Sequence, residues 1–279
     1  MLVKLFKHDF RSLSRAQVPV LIAIAAAAVL GFFNMLFLAA TGSGQLVPEE
    51  SDGYGLMLSM SVGGTLLIFT ALAAAMTVLS VLIFVRFYRS MVTDEAYLTF
   101  TLPVTPGQLI GAKFLASAVW FCFGGIALTL AGGLMYTGAV IAGGEDFREA
   151  MAYLWEDVLE MLAGNPLTVF LLVLAALTAA VRWYFQITGA ILFGASVVRK
   201  NKALAAVGMI FAVNFVVNLL TSIFPTMGLF GMGIIFNLYD YGEFSPNLWL
   251  IVQICVNVLV TALFWWMSVR IAKKSVNIE

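Results

Sequence analysis

Among the polar residues inside the long apolar stretches of this chain, five have side chains whose chemistry and position could hold a polar solute or a neighbouring helix. They are Arg182, Asn214, Asn218, Gln253 and Asn257. Asn214 and Asn218 are four residues apart, as are Gln253 and Asn257, and residues at that spacing share one face of a helix. Amides placed in this way can line a polar pathway, or they can hydrogen-bond one membrane helix to another. The sequence leaves both interpretations open.

Arg182 has the most costly position of the five. It precedes Arg199 by a distance of about 25 Å along a helix, and inserting an arginine at the centre of a bilayer costs about 2.5–3.5 kcal/mol or more. One interpretation is that its guanidinium reaches the outer headgroups, with Trp183 and Tyr184 as interfacial aromatic residues. The other is that it faces the interior of an assembly and meets a carboxylate or an anionic substrate group.

Residues for catalysis or metal binding are scarce. His8 is the single histidine, and Cys122 and Cys255 lie in apolar runs without a CxxC neighbour, which favours buried packing over metal or redox chemistry. No GxSxG motif occurs, and no GxxxxGK[ST] phosphate-binding loop occurs either. We therefore predict that this chain is not an enzyme and that it binds no metal and no cofactor of its own.

Composition identifies the surroundings of these residues. The chain of 279 residues is 62% apolar and 11% charged, with a mean hydropathy of +1.01, whereas a soluble domain is about half apolar and a quarter charged. Its formal net charge is zero, so no global field attracts it to nucleic acid. Short alternating strands are not visible. We predict an all-α, polytopic protein of the lipid membrane with no nucleic-acid partner.

Six apolar runs are long enough to cross a bilayer as helices. The first is too long for the apolar region of a signal peptide. The predicted spans are residues 18–40, 60–85, 111–142, 167–198, 203–224 and 247–269 of a single transmembrane domain, 1–279.

The basic residues predict the orientation of these spans. Most lysines and arginines lie before the first span, between the second and third, between the fourth and fifth, and after the sixth, while the remaining loops carry mainly aspartate and glutamate. Because basic loops stay on the cytoplasmic side, both termini are predicted to be cytoplasmic in a multi-pass protein of the cell membrane. Residues 1–16 are basic and amphipathic, and we predict that they form an interfacial helix.

The loop at 86–110, on the predicted cytoplasmic side, carries an unusual motif. Thr93 is a predicted helix N-cap with two acids in the first turn, and Pro103 ends that helix. The run FYRSMVTDEAYLTFTLPVTPGQLIGAK resembles the equivalent loop in permease subunits of bacterial ATP-binding-cassette exporters of the type-2 permease family. The specific match covers this loop, whereas the six spans and basic ends agree with the family's general plan.

The resemblance implies a function that the residues alone do not show. In that family the loop carries a coupling helix that sits in a groove of a separate cytoplasmic ATPase subunit. By position, the residues in contact with the ATPase are Asp94, Glu95, Tyr97, Leu98 and Phe100. ATP and Mg²⁺ would bind the ATPase, and a second permease copy or a paralogue would complete a dimer in a bacterial cytoplasmic membrane. The resemblance also implies a re-entrant segment at 225–246 on the outside.

Two other functions share this topology. A stand-alone transporter or channel would be expected to carry acidic residues within its spans for ion coupling, and no acid falls within the six predicted spans. A non-transporting membrane immunity or sensor protein would need no ATPase. The predicted pathway-lining residues remain Arg182 and the four amides named above.

Overall fold

The computed structural model describes residues 2–42, 53–93, 96, 104–142, 147–198, 200–235 and 246–276. Every element assigned in these ranges is a helix. We number the helices in chain order as α1 (Leu2–Gly42), α2 (Tyr54–Val92), α3 (Pro106–Ala142), α4 (Phe147–Gly164), α5 (Pro166–Val197), α6 (Lys202–Ile235) and α7 (Pro246–Val276).

Six of these helices, all except α4, are long and apolar enough to cross a membrane. The prediction of an all-helical protein with six helices of spanning length is therefore confirmed. Each predicted span falls within one helix, apart from Val198, which follows the end of α5. Helix α6 continues through Pro225 to Ile235, and residues 236–245 of the predicted re-entrant segment lie outside the described residues.

Helix α1 is longer than a bilayer is thick. Its 41 residues extend over about 61 Å, and the hydrocarbon core measures about 30 Å. The predicted interfacial stretch and the first predicted span belong to this one helix, which continues past Pro19. The basic residues occupy its first third, so the apolar remainder alone is long enough for a span.

Helix α4 was not predicted from the sequence. It has 18 residues and joins the third and fourth spanning helices. Glu149 lies in its first turn, where a carboxylate interacts favourably with the helix dipole, and accepts a hydrogen bond from Tyr153 Oη at 3.3 Å. Its mixed polar and apolar sequence explains why a count of apolar runs does not find it.

The chain divides into two compact units, of which the first comprises Met1–Val85 and Ala112–Leu159. Its core joins α1, α2 and α3 through buried apolar side chains: Ile24, Ala28, Leu72, Ala131 and Met135. At Gly138 a Cβ atom would lie 2.5 Å from the carbonyl oxygen of Phe32. Because no side chain fits there, the glycine permits the close packing of α1 and α3.

Three buried or half-buried polar pairs also join the helices of this unit. Lys113 Nζ lies 3.5 Å from Asp9 Oδ2, and the two side chains are 9% and 13% exposed. Gln17 Nε2 donates to the carbonyl oxygen of Leu79 at 3.0 Å, and Thr65 Oγ1 donates to Asn34 Oδ1 at 2.7 Å. Each pair links α1 to a neighbouring helix. In each pair the desolvated polar groups have the partner that burial requires.

The second unit comprises Arg86–Gly111 and Glu160–Glu279, and in it α5 packs against both α6 and α7. Asn201, between α5 and α6, has a φ of 56°, a left-handed conformation that asparagine tolerates better than most residues. The chain reverses there into an antiparallel pair. A Cβ atom at Gly194 would lie 2.6 Å from Ala205 O, so the two backbones nearly touch beside the turn.

Candidate functional site

The strongest candidate site is a group of four polar side chains between α5 and α6, which we call the polar cluster. It consists of Arg182 and Gln186 of α5 and of Asn214 and Asn218 of α6. Because the two helices run antiparallel, Gln186 lies opposite Asn214, and Arg182 lies opposite Asn218 one turn further from the connection. The structure therefore brings three of the five predicted pathway residues together.

Hydrogen bonds connect all four members of the polar cluster. Arg182 Nη1 donates to Gln186 Oε1 at 3.2 Å and to Asn218 Oδ1 at 3.4 Å, and Nη2 donates to Asn218 Oδ1 at 3.5 Å. Gln186 Nε2 donates to Asn214 Oδ1 at 2.7 Å. Each of the three amide oxygens thus accepts from another member of the polar cluster.

Burial differs across the polar cluster. Gln186 is only 1% exposed, Arg182 and Asn214 are half-buried, and Asn218 is exposed. The buried glutamine bonds to both helices at once, which sets the positions of Arg182 and Asn214. The polar cluster is therefore closed at Gln186 and open at Asn218.

The depth of the polar cluster follows from the helical rise. Arg182 lies about 22 Å from the end of α5 at Val197, and Asn214 and Asn218 lie about 18 and 24 Å from the start of α6 at Lys202. Both ends adjoin the basic connection between the helices. For a hydrocarbon layer about 30 Å thick that begins at these helix ends, the positions would fall within the layer, in the half further from the basic connection.

The direction of the Arg182 side chain bears on its two interpretations. A helical side chain normally leans toward the N-terminus of its helix, which in α5 is the end further from the basic connection. The guanidinium bonds to Gln186, one turn toward the C-terminus, and to Asn218 of the neighbouring helix α6. This geometry supports the interior interpretation over an extended side chain that reaches the outer headgroups.

The other two predicted pathway residues lie elsewhere. Asn257 of α7 is fully buried and donates through Nδ2 to Thr178 Oγ1 of α5 at 3.5 Å. Its Oδ1 atom is buried and accepts no hydrogen bond within the described part of the chain. Gln253 is half-buried one turn earlier. Asn257 thus bonds α5 to α7, and neither residue joins the polar cluster.

Sequence reasoning missed Gln186 and Thr178, although both lie on the same predicted span as Arg182. Gln186 follows Arg182 by four residues, the same spacing that singled out the amides of α6 and α7. Applying that spacing to α5 would have found it. Thr178 gives no such signal, because threonines in membrane helices commonly bond to their own backbone, as Thr178 Oγ1 does with Leu174 O at 2.9 Å.

The predicted coupling loop is described only at its edges. Thr93 Oγ1 donates to Arg89 O at 2.6 Å at the end of α2, and Ala96 N donates to Thr93 O at 2.7 Å. At the start of α3, Thr105 and Gln108 each accept a backbone N–H of the other, at 3.3 and 3.4 Å, which forms a capping box. The predicted contact residues lie outside the described part of the chain: Asp94, Glu95, Tyr97, Leu98 and Phe100.

A chain of contacts leads from the edge of this loop to α5. Cβ atoms at Gly107 and Gly111, in the first turns of α3, would lie 3.8 and 3.6 Å from the Trp265 ring of α7. Trp265 in turn meets Phe185 of α5 edge-on, with the ring centroids 5.1 Å apart. Phe185 immediately precedes Gln186. Two aromatic rings therefore lie between the start of α3 and the residue next to Gln186.

Metal chemistry has no support in the described residues, where no group of three or more histidine, cysteine, aspartate or glutamate side chains could hold an ion. Comparisons of the chain with protein-family models, with curated proteins and with solved structures find no match.

Proposed function

We propose that this chain is the membrane-spanning permease subunit of an ATP-driven exporter in a bacterial cytoplasmic membrane, with both termini inside. The observation that carries the proposal is the polar cluster at mid-length of two helices of spanning length. Polar groups within a membrane span are costly and usually functional. A bundle that served only as an anchor would not need four of them joined across two helices.

The energy for export comes from a separate subunit in this proposal. The chain contains no phosphate-binding loop, and its loop at 86–110 resembles the coupling loop of ATP-binding-cassette permeases. ATP and Mg²⁺ bind the partner ATPase, and a second permease copy or a paralogue completes the pathway. The position of Gly111 beside the Trp265 ring, and the edge-on contact of Trp265 with Phe185, support a route by which loop movement reaches the polar cluster.

Co-purification tests the coupling loop directly. The full-length chain is extracted from its native membrane in mild detergent, and Mg²⁺-dependent ATP hydrolysis is measured in the purified fraction. The charge-reversed variant Asp94→Lys, Glu95→Lys is expected to lose that hydrolysis, because the acids at the start of the coupling helix contact the ATPase.

The matched control is Glu156→Lys, Asp157→Lys, which reverses two consecutive exposed acids on α4. This control should retain the hydrolysis. Equal hydrolysis in the wild type and in both variants would overturn the loop assignment, and its absence from the wild type would favour a stand-alone transporter or a sensor.

A further inference from the structure

We propose that the polar cluster binds the anionic group, a carboxylate or phosphate, of an amphipathic molecule. The identification of that molecule as the exported substrate rests on the proposed function, whereas binding of the anionic group does not. The proposal combines three features of the second unit: the direction of the hydrogen bonds, the charge of Arg182 and the apolar residues beside Asn218.

The hydrogen bonds favour an incoming acceptor. The amide oxygens of Gln186, Asn214 and Asn218 all accept hydrogen bonds within the polar cluster. Arginine carries five N–H donors and each side-chain amide carries two, so the polar cluster has more donors than its three amide oxygens can accept. A ligand that brought further donors would compete with Arg182 for the same oxygens.

The charge of Arg182 favours an anion over a neutral acceptor. A guanidinium stays protonated in proteins and presents a planar fork of donors that matches a carboxylate or a phosphate. Charge-assisted hydrogen bonds of this kind are roughly twice as strong as neutral ones. Because Arg182 is half-buried and already bonds to Gln186 and Asn218, its guanidinium is oriented before a ligand arrives, which lowers the entropy lost on binding.

The surroundings favour a ligand with an apolar part. Phe211 and Phe215 of α6 are 73% and 71% exposed, and they lie seven and three residues before Asn218 on one helix face. An acyl chain along these rings would place its headgroup at Asn218, the open end of the polar cluster. The ligand class is therefore an amphipathic anion such as a fatty acyl carboxylate or a lipid phosphate.

A dansyl-labelled fatty acid serves as the probe in nanodiscs of phosphatidylcholine that contain the full-length protein. Trp183, which follows Arg182 and is 36% exposed, is a suitable donor for energy transfer to the dansyl group. The wild type should show saturable energy transfer to the fatty acid, which empty discs should lack. A dansyl-labelled fatty amine should show no saturable transfer with the wild type.

Two arginine variants test the site. Arg182→Gln should weaken binding of the fatty acid by about tenfold or more, as expected when a charge-assisted hydrogen bond is lost. Arg270→Gln removes the same charge from an exposed position on α7, where the guanidinium lies 4.3 Å from the Trp266 ring, and should leave binding unchanged. Equal binding by the wild type and Arg182→Gln would overturn the proposal.

A second variant keeps the test decisive if Arg182→Gln fails to fold. Asn218→Asp has the same shape, and it places a carboxylate where Asn218 Oδ1 already accepts from Arg182. The new carboxylate should bind the guanidinium more strongly than the amide does and neutralise its charge, which should abolish fatty-acid binding and raise the melting temperature. Undiminished binding by Asn218→Asp would also overturn the proposal.

Two displacement experiments distinguish the sources of the anionic group. If added phosphatidylglycerol displaces the probe from the wild type more effectively than phosphatidylcholine does, the group is a lipid phosphate. If soluble dodecanoate displaces it and phosphatidylglycerol does not, the group belongs to a diffusing solute. If the wild type binds the fatty acid but no ATPase co-purifies with it, only the proposed function is contradicted. If an ATPase co-purifies but the wild type shows no saturable binding, only this inference is contradicted.

Discussion

Two amide pairs with the same spacing have different roles in the second unit. Asn214 and Asn218 of α6 join Arg182 and Gln186 in a network that is open at one end. Asn257 of α7 is instead fully buried against Thr178. The comparison teaches that spacing places amides on one face of a helix, whereas the opposite helix decides whether that face forms a site or a packing contact.

The first unit provides a third arrangement. There Asp9 and Lys113 form a nearly buried ion pair between α1 and α3, in which opposite charges compensate each other. The polar cluster combines a charged donor with amide acceptors and stays half open. We therefore expect changes of charge to be tolerated at the open end of the polar cluster and to be costly at Asn257 and Lys113.

Asn257→Asp should have the largest effect. The new carboxylate would lie in a fully buried position beside a threonine hydroxyl, and an uncompensated buried charge costs about 3 kcal/mol or more. Asn218→Asp makes the same chemical change beside Arg182 and should not destabilise the protein. Thermal melting followed by far-ultraviolet circular dichroism in nanodiscs compares the two, and equal losses of stability would contradict the contrast drawn above.

Lys113→Met should destabilise the protein by about 3 kcal/mol, because it leaves the nearly buried Asp9 carboxylate with only the exposed His8, at 3.8 Å, beside it among the described residues. Lys200→Met, at an exposed lysine between α5 and α6, is the matched control and should change stability by less than about 0.5 kcal/mol. Denaturant unfolding measures both. A loss at Lys113 no larger than that at Lys200 would show that the ion pair contributes little.

Gln186→Leu should cost about 2 kcal/mol, since it removes an acceptor from Arg182 and a donor from Asn214 in a buried position. Gln253→Leu is the corresponding change on α7 and should cost less than about 0.5 kcal/mol. The same unfolding experiment separates the two glutamines. Similar effects at both would indicate that Gln186 does not hold the polar cluster together.

Thr178→Val should have the smallest effect, about 1 kcal/mol, because its single hydrogen bond with Asn257 is long, at 3.5 Å. Thr129→Val is the control. Thr129 Oγ1 donates to Gly125 O of its own helix α3 and is exposed. Removing this hydroxyl should therefore hardly change the free energy of unfolding. A loss larger at Thr129 than at Thr178 would contradict the assignment of the Thr178–Asn257 bond as an interhelical contact.

Much of the fold could be predicted because it depends on composition and length. A run such as 60–85 must form a helix in lipid, since its backbone polar groups have no other partners there. Helix α4 could not be found in this way, because its acidic residues interrupt the apolar pattern. The continuity of α1 through Pro19 was equally hidden, as proline is normally a helix breaker.

The candidate site was only partly predictable for a related reason. Arg182 stands out by its cost in a membrane span, and Asn214 and Asn218 stand out by their spacing. Gln186 carries no charge, and its only signal is its four-residue spacing from Arg182. Its role depends on the antiparallel register of α5 and α6, which follows from the turn at Asn201 and the close backbone approach at Gly194.

The amino-acid sequence by itself determined which segments are helical and long enough to cross a membrane, because hydrophobicity and helical rise are properties of a segment alone. Only the tertiary structure decided that Arg182 meets Asn218 and Gln186 meets Asn214, while Asn257 meets Thr178. These pairings depend on the register between helices, which is set by packing at positions such as Gly194 and not by the polar residues themselves.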